Sequence, residues 1–236
     1  FMKKISLLLC LFFILSCSNS LKDSSNLPGR LGNPEMSLKN DPRAIPAVTK
    51  VMSEYGLDAL APDPPISIEA TQNEKVDYMT SLEPLYEDIF KSWYSELPEV
   101  EGLERFTKVI DGVDGNQIKL YVHKPEGLES KVPGILHIHG GGMSILKARN
   151  PNYVRWRDDL ASTGLVVVGV EFRNVAGELG SYPFPAGLND CSSALQWMFD
   201  NKEELDVSKI IVSGESGGGN LTLATTLKAK KDEKLF

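Results

Sequence analysis

Lys209-Ile210-Ile211-Val212-Ser213 runs directly into Gly214-Glu215-Ser216-Gly217-Gly218-Gly219. The apolar, β-branched first half reads as a strand, and residues 217–230 read as a helix. Between them, Gly214, Ser216 and Gly218 stand at the G-x-S-x-G spacing. A serine on so tight a strand-to-helix turn takes strained backbone angles, and flanking glycines let neighbouring chain pass without a Cβ clash. Its hydroxyl then projects from the C-terminal edge of a sheet, facing the partial positive charge of a helix N-terminus. A glycine-rich turn with an incidental serine has the same composition. The strand before and the helix after favour the first reading. A phosphate-binding loop is a poor fit, because no Lys-Ser or Lys-Thr pair closes the glycine run.

Outward from this unit, strand and helix patterns alternate. Residues 106–110 and 117–123 are β runs on either side of Asp111-Gly112-Val113-Asp114-Gly115-Asn116, a hairpin signal. A short buried strand over 134–139, a helix over 152–162, a strand over 165–171 and a helix over 185–201 follow. That last helix carries Leu188, Cys191, Ala194, Leu195 and Met198 on one side, which makes Cys191 a core residue. The pattern predicts a mostly parallel sheet with helices on both faces over residues 101–236.

Residues 18–40 read as a linker. Asp41 and Pro42 suit the N-cap and first position of a helix stopped by Gly56. From Glu74, Met79, Leu82, Leu85, Tyr86, Ile89, Phe90 and Trp93 recur at helical spacing, interrupted at Pro84. Residues 41–97 are thus expected to form a helical layer whose apolar face packs on something else.

The composition narrows the function classes. The 236 residues carry 32 acidic and 25 basic side chains, a net charge of −7. This argues against a nucleic-acid binder, which needs a basic excess to neutralise phosphates. Three cysteines with no C-x-x-C pair suggest neither a disulfide-stapled fold nor a zinc site. At the start, Lys3 and Lys4 precede an apolar run over 5–15, too short for the roughly 20 residues of a membrane span. Ile14-Leu15-Ser16-Cys17 resembles the lipobox of bacterial lipoproteins. That resemblance implies cleavage before Cys17, lipidation of its thiol, and an exported protein held at a membrane by this anchor, on the periplasmic or cell-surface side. An ordinary secretory signal with a chance cysteine is the other reading.

His139-Gly140-Gly141-Gly142-Met143 follows the strand over 134–139. Acyl transfer builds negative charge on a carbonyl oxygen, and glycines let backbone N–H groups approach that oxygen closely. With the serine motif, this loop resembles the hormone-sensitive-lipase-like esterases, the HGGG group of α/β-hydrolases. Glu171-Phe172-Arg173, Tyr182-Pro183-Phe184-Pro185-Ala186 and Asp190 fit the same pattern. The resemblance implies an α/β-hydrolase fold preceded by a linker and N-terminal helical cap region over residues 18–100. It also implies a serine carboxylic-ester hydrolase acting on a small-molecule ester, with no metal and no organic cofactor. Carried over by position, Ser216 is the nucleophile, and the N–H groups of Gly141, Gly142 and Gly217 form the oxyanion hole. His139 is a structural residue of the glycine loop, and Gly140, Gly214, Glu215 and Gly218 complete the two motifs. Glu215 replaces the Asp often found before the serine. Phe172-Arg173-Asn174-Val175-Ala176 departs from the usual Tyr-Arg-Leu-Ala-Pro run.

The triad order in this fold is Ser, then Asp or Glu, then His. Here His123, His137 and His139 all precede Ser216, and only Asp232 and Glu233 follow it as acids. A strand–crossover–strand unit takes about 30 residues, so 101–236 is expected to hold about five strands. The expectation is the front part of a longer enzyme, its last strands and its triad Asp and His lying beyond residue 236. Such a chain by itself would be inactive, with the strand over 209–213 left as an exposed edge. Other readings stay open. His137 and His139, on one strand face, could be a metal pair, though no third ligand cluster follows. His139 could be the base for Ser216. The protein could also be a non-catalytic relative that binds a small ligand. His123, beside Lys124-Pro125, is expected at the surface.

Overall fold

The structure is a computed structural model that describes residues 32–60 and 62–232. The leader-like segment with Cys17 lies outside the described residues, as does Glu233. The chain divides into two compact units, Phe1–Pro65 and Ile66–Phe236.

In the first unit a 3-10 turn over Leu38–Asn40 precedes helix α1, Pro46–Glu54. The helix begins four residues later than the Asp41-Pro42 pair suggests. Asp41 accepts the backbone N–H of Arg43 at 2.8 Å and pairs with its guanidinium at 2.6 Å, so its carboxylate closes a local turn instead of capping a helix. Pro46 takes the first helical position, where its missing N–H costs nothing.

The second unit opens with α2, Gln72–Tyr94. Thr71 and Glu74 form a reciprocal capping box, with bonds of 3.3 and 2.7 Å. Pro84 lies inside this helix and does not interrupt it. A proline there removes one backbone bond and costs about 3 kcal/mol. The helix is held from outside: Val76, Met79, Leu82 and Phe90 pack on Ile145, Leu146, Tyr153 and Ala176. Leu85 and Tyr86, counted with the apolar stripe, are exposed.

The sheet contains β1 Leu103–Asp111, β2 Gln117–Pro125, β3 Val132–Ile138, β4 Val166–Glu171 and β5 Val207–Gly214. Their spatial order is β1-β2-β4-β3-β5. β3 runs parallel to both its neighbours, whereas β1–β2 and β2–β4 are antiparallel. The sheet is therefore mixed, because the first two strands form a hairpin. Helices α3 (Pro151–Ser162), α4 (Ala186–Asp200) and α5 (Gly217–Lys231) connect or follow the later strands.

Period-2 alternation assigns the two faces. Leu136, Ile138, Val166, Val168 and Val170 pack with Cys191, Ala194, Leu195, Met198 and Leu221 of α4 and α5. Ile135 and Val167 point the other way, to Ala161 and Leu160 of α3. From β3 the chain moves one way to β4, then crosses back over β3 to β5. The strand order thus reverses at β3, and the crevice outside the C-terminal ends of β3 and β5 is where open α/β sheets bind ligands. Among the described residues β5 pairs on one side only, with β3, and its Ile211 is exposed.

Candidate active site

β5 delivers its chain to that crevice through the glycine–serine turn. Ser216 is exposed and sits at φ 53, ψ −120, a region that non-glycine residues avoid. The glycines around it are spatial necessities. A Cβ on Gly214 would run into the Ile138 carbonyl, and one on Gly218 would run into the same oxygen and lie 2.6 Å from that of His139. A Cβ on Gly217 would lie 2.7 Å from the Met143 nitrogen and 2.8 Å from that of Gly142. The serine turn and the glycine loop after β3 are therefore in direct backbone contact.

Gly141, Gly142 and Met143 have consecutive positive φ values of 102, 66 and 59°. The Gly141 carbonyl accepts Ser144 N–H at 3.0 Å and Ile145 N–H at 3.2 Å, curling the loop. Among the described residues the N–H groups of Gly141 and Gly142 donate to no backbone carbonyl. Gly217, at the first position of α5, has no intrahelical acceptor for its N–H. Backbone donors are thus concentrated beside Ser216.

Glu215 ties the two motifs together. One carboxylate oxygen accepts Gly140 N–H at 2.7 Å, and the other lies 3.3 Å from His137 Nε2. His137 is buried, lies parallel to the Trp156 ring, and has its pKa lowered by burial. His139 is fully buried against Phe172, ring centroids 4.3 Å apart. Its Nδ1–H donates to the Gly140 carbonyl at 2.7 Å, which fixes the tautomer. The two imidazoles brace the glycine loop and the serine turn.

His123 is not at the surface; it is buried in an ionic network that the sequence did not disclose. Its Nδ1–H donates to Asp158 at 2.7 Å, and its Nε2 accepts the Arg157 Nε–H at 2.9 Å. Asp158 also accepts from Arg105 at 2.8 Å. Arg157 is wholly buried and donates to the Ala148 carbonyl at 2.8 Å. It fits because Gly169 has no side chain: a Cβ there would lie 2.7 Å from Nη1. Neighbouring Lys124 and Pro125 hid this burial, which α3 supplies by packing directly over His123.

Burial pushes His123 down to about 4, with Arg157 adding to the effect, and His139 down to about 3, against an ordinary 6.5. The unfolded chain therefore takes up protons at a higher pH than the folded one. Stability present above pH 6.5 should fall between 6.5 and 4. For His123 the loss over that window is about 3 kcal/mol. Urea midpoints near neutrality and at about pH 5 would measure the upper part of this loss, and His123→Gln should reduce the dependence while the share of His139 remains. An equal slope in the variant would contradict the assignment.

The loop after β4 is fixed by Arg173, which forks onto Asp190 at 2.8 and 2.9 Å while Asn116 donates to the same carboxylate at 2.9 Å. Two cavities of about 460 Å³ flank the sheet. One lies by Trp197 and Thr225 and the other by Tyr121, Glu171 and Arg173, and Ser216 lines neither.

Residues 135–235 match the alpha/beta hydrolase fold family. The chain is similar to the solved structure of brefeldin A esterase, described as a bacterial homologue of human hormone sensitive lipase. Identity is 41% and the TM-score 0.77, over 87% of this chain and 57% of that one. Carboxylesterase NlhH of Mycobacterium tuberculosis is 35% identical over 130 residues, 53% of this chain and 38% of that protein. Tuliposide A-converting enzyme 2 of Tulipa gesneriana is 32% identical over 133 residues, 51% of this chain and 34% of that protein. The chain therefore spans little more than a third of the two curated relatives.

Proposed function

We propose that this chain, whose residues 135–235 belong to the alpha/beta hydrolase fold family, is the nucleophile-bearing part of a serine carboxylic-ester hydrolase. One observation carries the reading: a strained, exposed Ser216 whose turn touches the backbone of the HGGG loop. The esterase and carboxylesterase names of similar proteins support it.

In this reading Ser216 Oγ attacks the ester carbonyl carbon and its proton passes to a general base. The carbonyl oxygen becomes an oxyanion held by the N–H groups of Gly141, Gly142 and Gly217. Collapse breaks the bond to the alcohol oxygen, which takes the proton from the base and leaves. Water, deprotonated by the same base, then releases the acid and restores Ser216. Preorganised backbone donors stabilise charge that exists only in the transition state, each worth about 3 kcal/mol in comparable sites.

The base is proposed to come from outside residues 1–236. His123, His137 and His139 are all buried and engaged with Asp158 and Arg157, with Glu215, and with Gly140. The substrate is proposed to be a small-molecule ester. Short-chain p-nitrophenyl esters assayed with the whole protein test this: turnover is expected, and its absence across acetate, butyrate and hexanoate would overturn it.

Export and anchoring through Cys17 are part of the same proposal, supported by the sequence Ile14-Leu15-Ser16-Cys17. In a Gram-negative host, labelled palmitate should be incorporated and Cys17→Ser should prevent it. A mature N-terminus elsewhere, without label, would reject the anchor.

A further inference from the structure

We infer that Glu83, a buried carboxylate at the middle of α2, is a positioning residue that sets the geometry of the glycine loop for catalysis. This rests on the proposed esterase reading, because the loop matters to rate only if its N–H groups meet an oxyanion.

Glu83 is 4% exposed. Its two oxygens go to two different loops. Oε1 accepts Leu146 N–H at 2.7 Å, and Oε2 accepts Glu178 N–H at 2.6 Å. Thr80, three residues earlier on the same helix, accepts Gly177 N–H at 3.0 Å. Gly177 is required for the approach: a Cβ there would lie 2.8 Å from Glu83 Oε2.

The two loops are also joined to each other. Val175 N–H donates to Met143 C=O at 3.1 Å, and Ala176 N–H to Ser144 C=O at 2.9 Å. Asn174 donates to the Leu146 carbonyl at 2.8 Å. Glu83 therefore ends a short ladder whose other end runs into Gly142. The ladder needs an external hold, because Met143 and Leu146 sit at φ 59 and 76°, where side-chain-bearing residues are strained.

The glycine loop thus hangs between two carboxylates. Glu215 holds its start at Gly140 N–H, and Glu83 holds its end at Leu146 N–H. An ionised carboxylate accepts on both oxygens at once, and bonds to a charged acceptor are the stronger kind. A glutamine at this position has one accepting oxygen and an NH2 group that would face a backbone N–H. One loop would come loose while the volume stayed nearly constant.

Donors displaced from the oxyanion weaken the transition state and leave the ground-state complex almost untouched. For Glu83→Gln the expected result is a fall in kcat of about 10- to 100-fold with KM within about twofold. Glu87→Gln is the control. Glu87 sits one turn later, and among the described residues its hydrogen-bond partners are side chains, the Lys147 ammonium and the Asn150 amide. Its kcat should stay within about twofold of the parent. Should Glu83→Gln fail to fold, Glu83→Asp keeps the charge, shortens the reach by one methylene, and is read in the same assay. Amide exchange at Leu146 and Glu178, which needs no activity, should speed up in the Glu83 variants while the Leu136 and Val168 amides stay protected.

Ser216→Ala runs alongside. Activity surviving it overturns the esterase reading. With Ser216→Ala inactive, an unchanged kcat in the Glu83 variants, an unchanged exchange rate at Leu146, or an equal kcat loss in Glu87→Gln overturns the positioning role alone.

Discussion

Ser216→Ala should abolish ester hydrolysis, lowering kcat by about 10³-fold or more while the fold stays intact. In the proposed mechanism no acyl-enzyme forms without Oγ, and what remains is the slower attack of water on an ester held by the backbone donors. The variant should melt like the parent, because alanine pays the same strain as serine at φ 53, ψ −120. Ser216→Gly separates stability from function: equally inactive, it should be about 1 kcal/mol more stable than the alanine variant, because glycine relieves the positive φ. Rates on a p-nitrophenyl ester and urea melts read both quantities. Undiminished hydrolysis by Ser216→Ala would remove the nucleophile assignment.

Gly218→Ala should destabilise the fold by about 3 kcal/mol or more, against a total stability of about 5–15 kcal/mol. The new methyl would meet the carbonyls of Ile138 and His139, and Ile138 ends the strand paired on both sides. Neither carbonyl can move without disturbing β3 or the glycine loop. The neighbouring Gly219→Ala is the comparison. Its Cβ would lie 3.3 Å from the Gly214 carbonyl, a contact that a small shift relieves. Alanine also favours the helix by about 1 kcal/mol, so the net change should stay within about 1 kcal/mol. Equal midpoints for the two variants would contradict the close approach of α5 to β3.

Much of the fold was readable in advance because its signals are short-range. All five strands and the three helices that follow β3, β4 and β5 lie where apolar periodicity and glycine placement put them, with ends shifted by at most three residues. Three local readings did not hold. Asp41-Pro42 looks like a helix start, yet Asp41 is satisfied locally by Arg43. Pro84 looks like a break, yet packing on Ile145, Leu146 and Tyr153 outweighs one lost bond. His123 looks exposed beside Lys124, yet Arg157 and Asp158 cover it from α3. For Pro84 and His123 the deciding partners were side chains far along the chain, which local pattern does not reveal.

By itself the sequence determined the elements of the candidate site: a serine flanked by glycines between a strand and a helix, and a glycine run after a buried strand. Those are local backbone requirements, and local residues meet them. It did not determine that Glu215 reaches Gly140, that Glu83 caps two loops far along the chain, or that His123 donates to Asp158. On a helix face or a strand end, such residues read as solvated charge. Only tertiary structure decides which of them are taken out of water, because a buried charge must find its partner wherever the fold happens to bring one.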